Sequence, residues 1–233
     1  MVDRSGDADR YAVDGEFAFL GRTYAEYAAF FDLGPDAIAG QRVLDCPAGP
    51  GSFVAGACAR GASALGVDPA FAASPDTLVA RQQAAVADVA DQLPEKTNLF
   101  TWECYEDVDD RLSFLRRAGR TFAADLRANP GRYVAGRLPD LPFADDSFDL
   151  ACSANLLFLY GDRLDREFHE AALAELARVA EEVRVFPLVG LDTEPSPHLD
   201  EVVDAMRARG YAVEQLGVPY EFQQGADEML VVT

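Results

Sequence analysis

Two neighbouring stretches constrain the fold most: VLDCPAGPGSF, Val43 to Phe53, and ASALGVD, Ala62 to Asp68. The first is a short apolar run, read as strand 1 over Gln41 to Cys46, that ends in a turn carrying Gly49 and Gly51. The residues from Gly51 to Arg60 then read as a helix closed by Gly61. The second run is a strand ending at Asp68. Two strands joined by a helix lie parallel, because the helix returns the chain to the edge where the first strand began. The alternation continues, with strands expected at Arg132 to Gly136, at FDLACSA within Ser147 to Leu157, and at Val183 to Leu188. Helices are expected after Asp165 (REFHEAALAELARVA) and over Pro197 to Gly210. YAVEQLGV and MLVVT have no helix between them and should pair antiparallel at the sheet edge. The expectation is α/β, a doubly wound sheet in one domain over residues 15–233.

Residues 76–130 interrupt this pattern between the second and third strands. Asp76 is expected to cap the helix TLVARQQAAVADVADQL, and Pro94 to break it. A second helix is expected through WECYEDVDDRLSFLRRAGRTFAADLRA, ending at Asn129-Pro130-Gly131. An ordinary crossover is much shorter, so this is a helical insertion able to form a lid. Upstream, Tyr24, Tyr27, Ala28 and Phe31 recur at helical spacing and predict a short amphipathic helix within Gly15 to Leu33. Residues 1–14 read as a loose acidic tail, neither a signal nor a transit peptide.

Charge limits the partners. Forty acidic residues face 20 basic ones, only one of them a lysine (Lys96), giving a net charge of -20. The acidity is dispersed, which suits a halophilic protein in molar salt, where screening removes self-repulsion. It repels phosphate, so no nucleic-acid partner is expected, and it favours a neutral or cationic small-molecule acceptor. No run approaches the roughly 18 apolar residues of a membrane span. Cys46, Cys58, Cys104 and Cys152 form no CxxC pair, and His169 and His198 stand apart in sequence, so no metal site is expected and the location reads as cytoplasmic. Asp109-Asp110 and Asp145-Asp146 read as solvated surface.

The turn after strand 1 carries the chemistry. Open parallel sheets bind ligands at the carboxyl ends of their strands, where the strand order reverses. Gly49 and Gly51 let backbone approach a ligand, and the helix N-terminus adds positive charge. A dinucleotide turn would need Gly or Ala where Val54 stands, and Asp45 would repel a pyrophosphate but attract an ammonium.

The pattern V-L-D-x-x-x-G-x-G resembles the first motif of the class I S-adenosylmethionine-dependent methyltransferases. Asp68 in GVDPA and the stretch LPFADDSFD, Leu141 to Asp149, match two further family features, and the order of elements agrees along most of the chain. LLFLYGDRLDREFHEAALAELARVAEEVRVFPL and YEFQQGADEML also resemble a bacterial and archaeal subgroup, here expected to be haloarchaeal. The resemblance implies a Rossmann-like seven-stranded sheet in the order 3-2-1-4-5-7-6. It implies that Asp45, Cys46, Pro47, Ala48, Gly49 and Gly51 surround the methionyl end of the cofactor, and that Asp68 and Pro69 meet the ribose. Many relatives carry Gly-Asp near the adenine; this chain has Gly136-Arg137, which leaves adenine to backbone near Leu138 and to apolar packing, with Arg137 counted among the cofactor-binding positions or pointing away. Pro47 replaces the first motif glycine, fixing φ and removing one N–H, and should tighten the turn. A Pro-Gly-Gly turn before the fifth strand is replaced by RVAEEVRVF.

Further residues follow from position in the resemblance. Asn155 lies where relatives contact substrate or cofactor, with a structural amide as the alternative. Tyr24 and Tyr27 lie on a helix that often covers the cofactor, or are core. Trp102, Tyr105 and Phe114 are acceptor-pocket candidates or lid core. His169 and Tyr27 are the weak candidates for a catalytic base; His169, on a face with Leu173, Leu176 and Ala180, also reads as a buried structural histidine. The implied activity is methyl transfer from S-adenosylmethionine to an unidentified small-molecule acceptor, leaving S-adenosylhomocysteine. The alternatives are a non-catalytic S-adenosylmethionine-binding protein and a nicotinamide-dependent oxidoreductase. Oligomeric state is not legible in the sequence.

Overall fold

The computed structural model describes residues 17–233; the stretch expected as a tail, 1–14, lies outside the described residues. Among the described residues seven strands are present: β1 (Arg42–Asp45), β2 (Ser63–Val67), β3 (Tyr133–Val134), β4 (Phe148–Ala154), β5 (Ala180–Phe186), β6 (Val213–Gly217) and β7 (Glu228–Val232). They form one Rossmann-like sheet in the order β3-β2-β1-β4-β5-β7-β6. β1 pairs parallel with β2 and β4, and β7 runs antiparallel to both β5 and β6. The expected order and the antiparallel last strand are both found.

Six α-helices among the described residues flank the sheet: α1 (Tyr24–Phe30), α2 (Phe53–Cys58), α3 (Pro75–Gln92), α4 (Val108–Ala128), α5 (Arg166–Val179) and α6 (Leu199–Ala208). Side chains alternate across each strand, so one strand feeds two cores. Val43 packs with Phe30, Phe53, Leu78 and Leu115 of α1 to α4. Its neighbour Leu44 packs with Leu173, Val202 and Met206 of α5 and α6. This places helices on both faces, as a doubly wound sheet requires.

Three boundaries differ from the sequence reading. Ser74, not Asp76, caps α3, and its side chain accepts from Thr77 N–H. Pro75 explains this: its fixed φ suits the first helical position, and its missing N–H costs nothing there. Asp76 instead pairs with Arg127 of α4 at 2.7 Å. α4 starts at Val108 rather than near Trp102, because Asp107 caps it through Asp110 N–H. The residues before it pair with the loop between β6 and β7: Thr101 N–H donates to Phe222 O at 2.6 Å, and Gln224 N–H to Leu99 O at 3.1 Å. Likewise α1 begins only at Tyr24, after Thr23 and Glu26 close a reciprocal capping box. Residues 17–22 carry no helix or strand and form a strap.

Candidate functional site

The carboxyl ends of β1, β2 and β4 open onto a cavity of about 910 Å³. Cys46, Pro47, Ala48, Gly49 and Pro50 of the turn line it, with Asp68 and Pro69 after β2, Arg137 and Leu138 after β3, and Asn155 after β4. Hydrogen bonds to both neighbouring strands pin the turn. Cys46 N–H donates to Cys152 O, and Ala48 N–H to Val67 O, both at 2.9 Å. These bonds use the N–H groups on either side of Pro47, so the N–H that proline lacks is not one of them. The Cys46–Pro47 peptide bond is cis. Gly49 has a φ of +51°.

Asp68 joins the turn to the second strand. One carboxylate oxygen accepts from Gly49 N–H at 3.0 Å and the other from Ala70 N–H at 2.8 Å. Burial pushes its carboxyl above the usual range, against these two hydrogen bonds and the charge of Arg81. Each oxygen keeps another lone pair for a hydroxyl donor.

Asp45 is 1% exposed and does not line the cavity. Its Oδ1 accepts from the Tyr27 hydroxyl at 3.1 Å, and its buried Oδ2 has no hydrogen-bond partner. Burial raises its carboxyl well above the ordinary value. Asp45 therefore meets the cavity through Tyr27, which does line it. Tyr27 is itself pushed well above the ordinary phenol range, first by burial and then by Asp45, a poor setting for a base.

Other expected residues stand elsewhere. Tyr24 does not line the cavity: it stacks on Phe53 at 5.7 Å, lies against Gly56 and carries the Arg60 guanidinium 3.8 Å over its ring. Gly51 lies against Arg22 and Ala48 backbone, off the cavity wall. His169 is fully buried; its Nε2 accepts from Phe158 N–H at 3.1 Å, and its Nδ1 bonds to Asp165 O at 2.7 Å. Both ring nitrogens are occupied, the donor must be Nδ1, and burial lowers its pKa. It is the structural histidine of the two readings, and it holds the loop after β4. In that loop Asn155 and Phe158 have φ of +57° and +62°. Trp102, Tyr105 and Phe114 are also off the wall.

The strap and the side opposite the turn were not read from the sequence. Phe17 to Arg22, Tyr160, Arg111, Tyr220 and Phe222 all line the cavity. The strap lies on the turn: Ser52 N–H donates to Arg22 O at 2.8 Å. Gly21, at φ +74°, abuts the Pro50 carbonyl, where a Cβ would come within 2.3 Å of the oxygen. The capping box Thr23-x-x-Glu26 was the available signal, since it starts the helix at Tyr24 and leaves the preceding residues outside it.

Among the described residues no group of three or more His, Cys, Asp or Glu side chains could hold a metal ion. No helix among them is long and apolar enough to cross a membrane. The four cysteines are free.

Residues 105–183 match a family model described as a methyltransferase domain. The chain is 29% identical over 224 residues to the uncharacterized protein MJ0045 of Methanocaldococcus jannaschii, covering 96% of this chain and 99% of that one. That relative comes from a methanogen, so the expected haloarchaeal origin gains no support. Similar solved structures include the magnesium protoporphyrin IX methyltransferase of Synechocystis PCC 6803 with bound SAM, 13% identical over 84% of this chain and 70% of that one, TM-score 0.45. A TehB-like SAM-dependent methyltransferase from Corynebacterium glutamicum is 18% identical over 83% of this chain and 79% of that one, also with TM-score 0.45.

Proposed function

We propose that the protein is a class I S-adenosylmethionine-dependent methyltransferase acting on a small molecule. One observation carries the reading. The glycine turn after β1 and the acidic residue after β2 are clamped together by the Asp68 to Gly49 hydrogen bond, at one wall of a cavity of about 910 Å³. That volume lies within the usual range for a cofactor site. The methyltransferase-domain match over residues 105–183 supports it.

The residues present fit the group. S-adenosylmethionine supplies, when bound, an activated methyl group on a sulfonium. Asp68 would accept hydrogen bonds from the ribose hydroxyls through its remaining lone pairs. Tyr27, which lines the cavity and donates to Asp45, would meet the methionyl end, with the buried Asp45 carboxyl acting on the ammonium through it. Arg22 suits the methionyl carboxylate. Its side chain is 18% exposed, its Nη1 donates to Gly21 O at 3.0 Å, and its Nε lies 3.8 Å from Glu26. Its backbone is tied to the turn, so its guanidinium is positioned for the same ligand. Leu138 and Pro69 supply apolar contact for the adenosine end, and Arg137 is exposed at its margin. The chain's own contribution is to bind, orient and exclude water.

Calorimetric titration with S-adenosylmethionine, S-adenosylhomocysteine and NAD tests this reading, in molar KCl to screen the charge of -20. Micromolar binding of the two sulfur compounds and none of NAD is expected. Binding of NAD alone would replace the reading with an oxidoreductase. Binding of none of the three by folded protein would remove it.

A further inference from the structure

Opposite the glycine turn, four polar side chains from distant parts of the chain meet in a buried row. Glu26 of α1 is 3% exposed and accepts from Thr23 N–H and Thr23 Oγ1, both at 2.7 Å, through Oε2. Its Oε1 accepts from Arg111 Nη1 at 3.0 Å and from the Tyr105 hydroxyl at 2.6 Å. The Tyr105 hydroxyl is in turn 2.8 Å from that of Tyr220. Of the two tyrosines only Tyr220 lines the cavity.

The row has a direction. Burial opposes charge on Glu26, but Arg111, Arg22 and the donors of Tyr105 and Thr23 outweigh it and hold the carboxyl below its ordinary value. Glu26 is therefore a carboxylate, which only accepts. Tyr105 has one hydroxyl hydrogen and must give it to Glu26. Its oxygen then accepts the Tyr220 hydrogen. Tyr220 is left with lone pairs and no hydrogen to offer, on a stretch of the cavity wall that also carries Phe30, Phe186, Phe222 and Arg111. Arg111, which also lines the cavity, braces the row, with its guanidinium 4.8 Å from the Tyr105 ring centroid and 5.2 Å from that of Phe222.

We infer that the methyl acceptor is a flat or aromatic molecule whose nucleophilic oxygen or nitrogen carries a hydrogen, and that it donates this hydrogen to Tyr220 Oη. The inference rests on the methyltransferase reading for the word acceptor, but not for the binding preference. Tyr220 touches the acceptor; Tyr105 and Glu26 act through it as positioning residues. The row is also a route for the hydrogen. Were the acceptor atom methylated, the methyl–sulfur bond would break with its electron pair left on sulfur, the acceptor atom would keep the pair of its bond to hydrogen, and that hydrogen would pass to Tyr220 Oη. The Tyr220 hydrogen would pass to Tyr105, the Tyr105 hydrogen to the Glu26 carboxylate, and Glu26 would end neutral.

The test uses p-cresol and its methyl ether as probes. They share one ring and differ in the donor hydrogen. Their affinities are measured by ligand-observed NMR on the full chain, with and without saturating S-adenosylhomocysteine. Wild type should favour the cresol, and Tyr220→Phe should cut the cresol-to-ether affinity ratio about fivefold, the worth of one hydrogen bond. Tyr105→Phe keeps Tyr220 but frees its hydrogen, and should lower the ratio less. A structural role alone would not move this ratio. An unchanged ratio in Tyr220→Phe, equal binding of the two probes to wild type, or binding of neither overturns the inference. If S-adenosylhomocysteine fails to bind but the ratio still falls in Tyr220→Phe, the donor site stands and the methyltransferase reading falls.

Discussion

The two sides of the cavity are built on different principles. The turn side is local: residues 45–51 and Asp68 belong to one β-α-β unit, and backbone N–H groups of the turn make most of its contacts. The opposite side joins residues 26, 105, 111 and 220 through side chains, with a buried ion pair at its centre. A site made of backbone tolerates sequence change around it. A site made of buried charge fails when one partner is removed.

Breaking the second side should therefore cost the most. Glu26→Ala leaves the Arg111 guanidinium buried without its carboxylate and should lower stability by about 3–5 kcal/mol, read by urea unfolding in molar KCl. On the turn side, Asp68→Ala should leave the fold intact but weaken S-adenosylhomocysteine binding about tenfold, through loss of charge-assisted hydrogen bonds. Equal stability losses in the two variants would erase the distinction.

A smaller effect concerns pH. Burial raises Asp45 in the folded protein, so folding takes up a proton as pH rises past the unfolded carboxyl value of about 3.9. Stability from this group is full below that value and is lost as pH climbs through the folded one. Asp45→Asn should then melt with wild type near pH 3 and about 2–4 °C above it at pH 7, by calorimetry. The same variant should bind S-adenosylmethionine less well, because its amide no longer attracts the ammonium. The smallest effect belongs to Arg137→Ala, an exposed position, which should shift cofactor binding by less than about 0.5 kcal/mol.

The contrast also explains what the sequence could reveal. Alternating apolar runs, Gly49 and Asp68 carry local rules of strand, turn and helix, so the strands and the turn side were legible, while the strand order came with the family resemblance. Ser74 and Asp107 were missed as caps because Asp76 and the aromatic run from Trp102 offered plausible helix starts of their own. The Glu26 row could not be read, since 79 residues separate Glu26 from Tyr105 and 115 separate Tyr105 from Tyr220. The pairing of residues 99–101 with 222–224 brings Tyr105 beside Tyr220. Tyr105 was noticed as an aromatic of the insertion, but its work is done through its hydroxyl. Likewise the chain's overall acidity argued for a neutral or cationic acceptor, yet it says nothing of a cavity wall that carries Arg22 and Arg111.

The central claim is that the cavity divides into a cofactor side and an acceptor side. Calorimetric titration of S-adenosylhomocysteine into wild type, Asp68→Ala and Tyr220→Phe tests it most directly. Binding weakened about tenfold in Asp68→Ala and unchanged within about twofold in Tyr220→Phe is the predicted result. Equal weakening in both variants would contradict it, because the two sides would then serve one ligand.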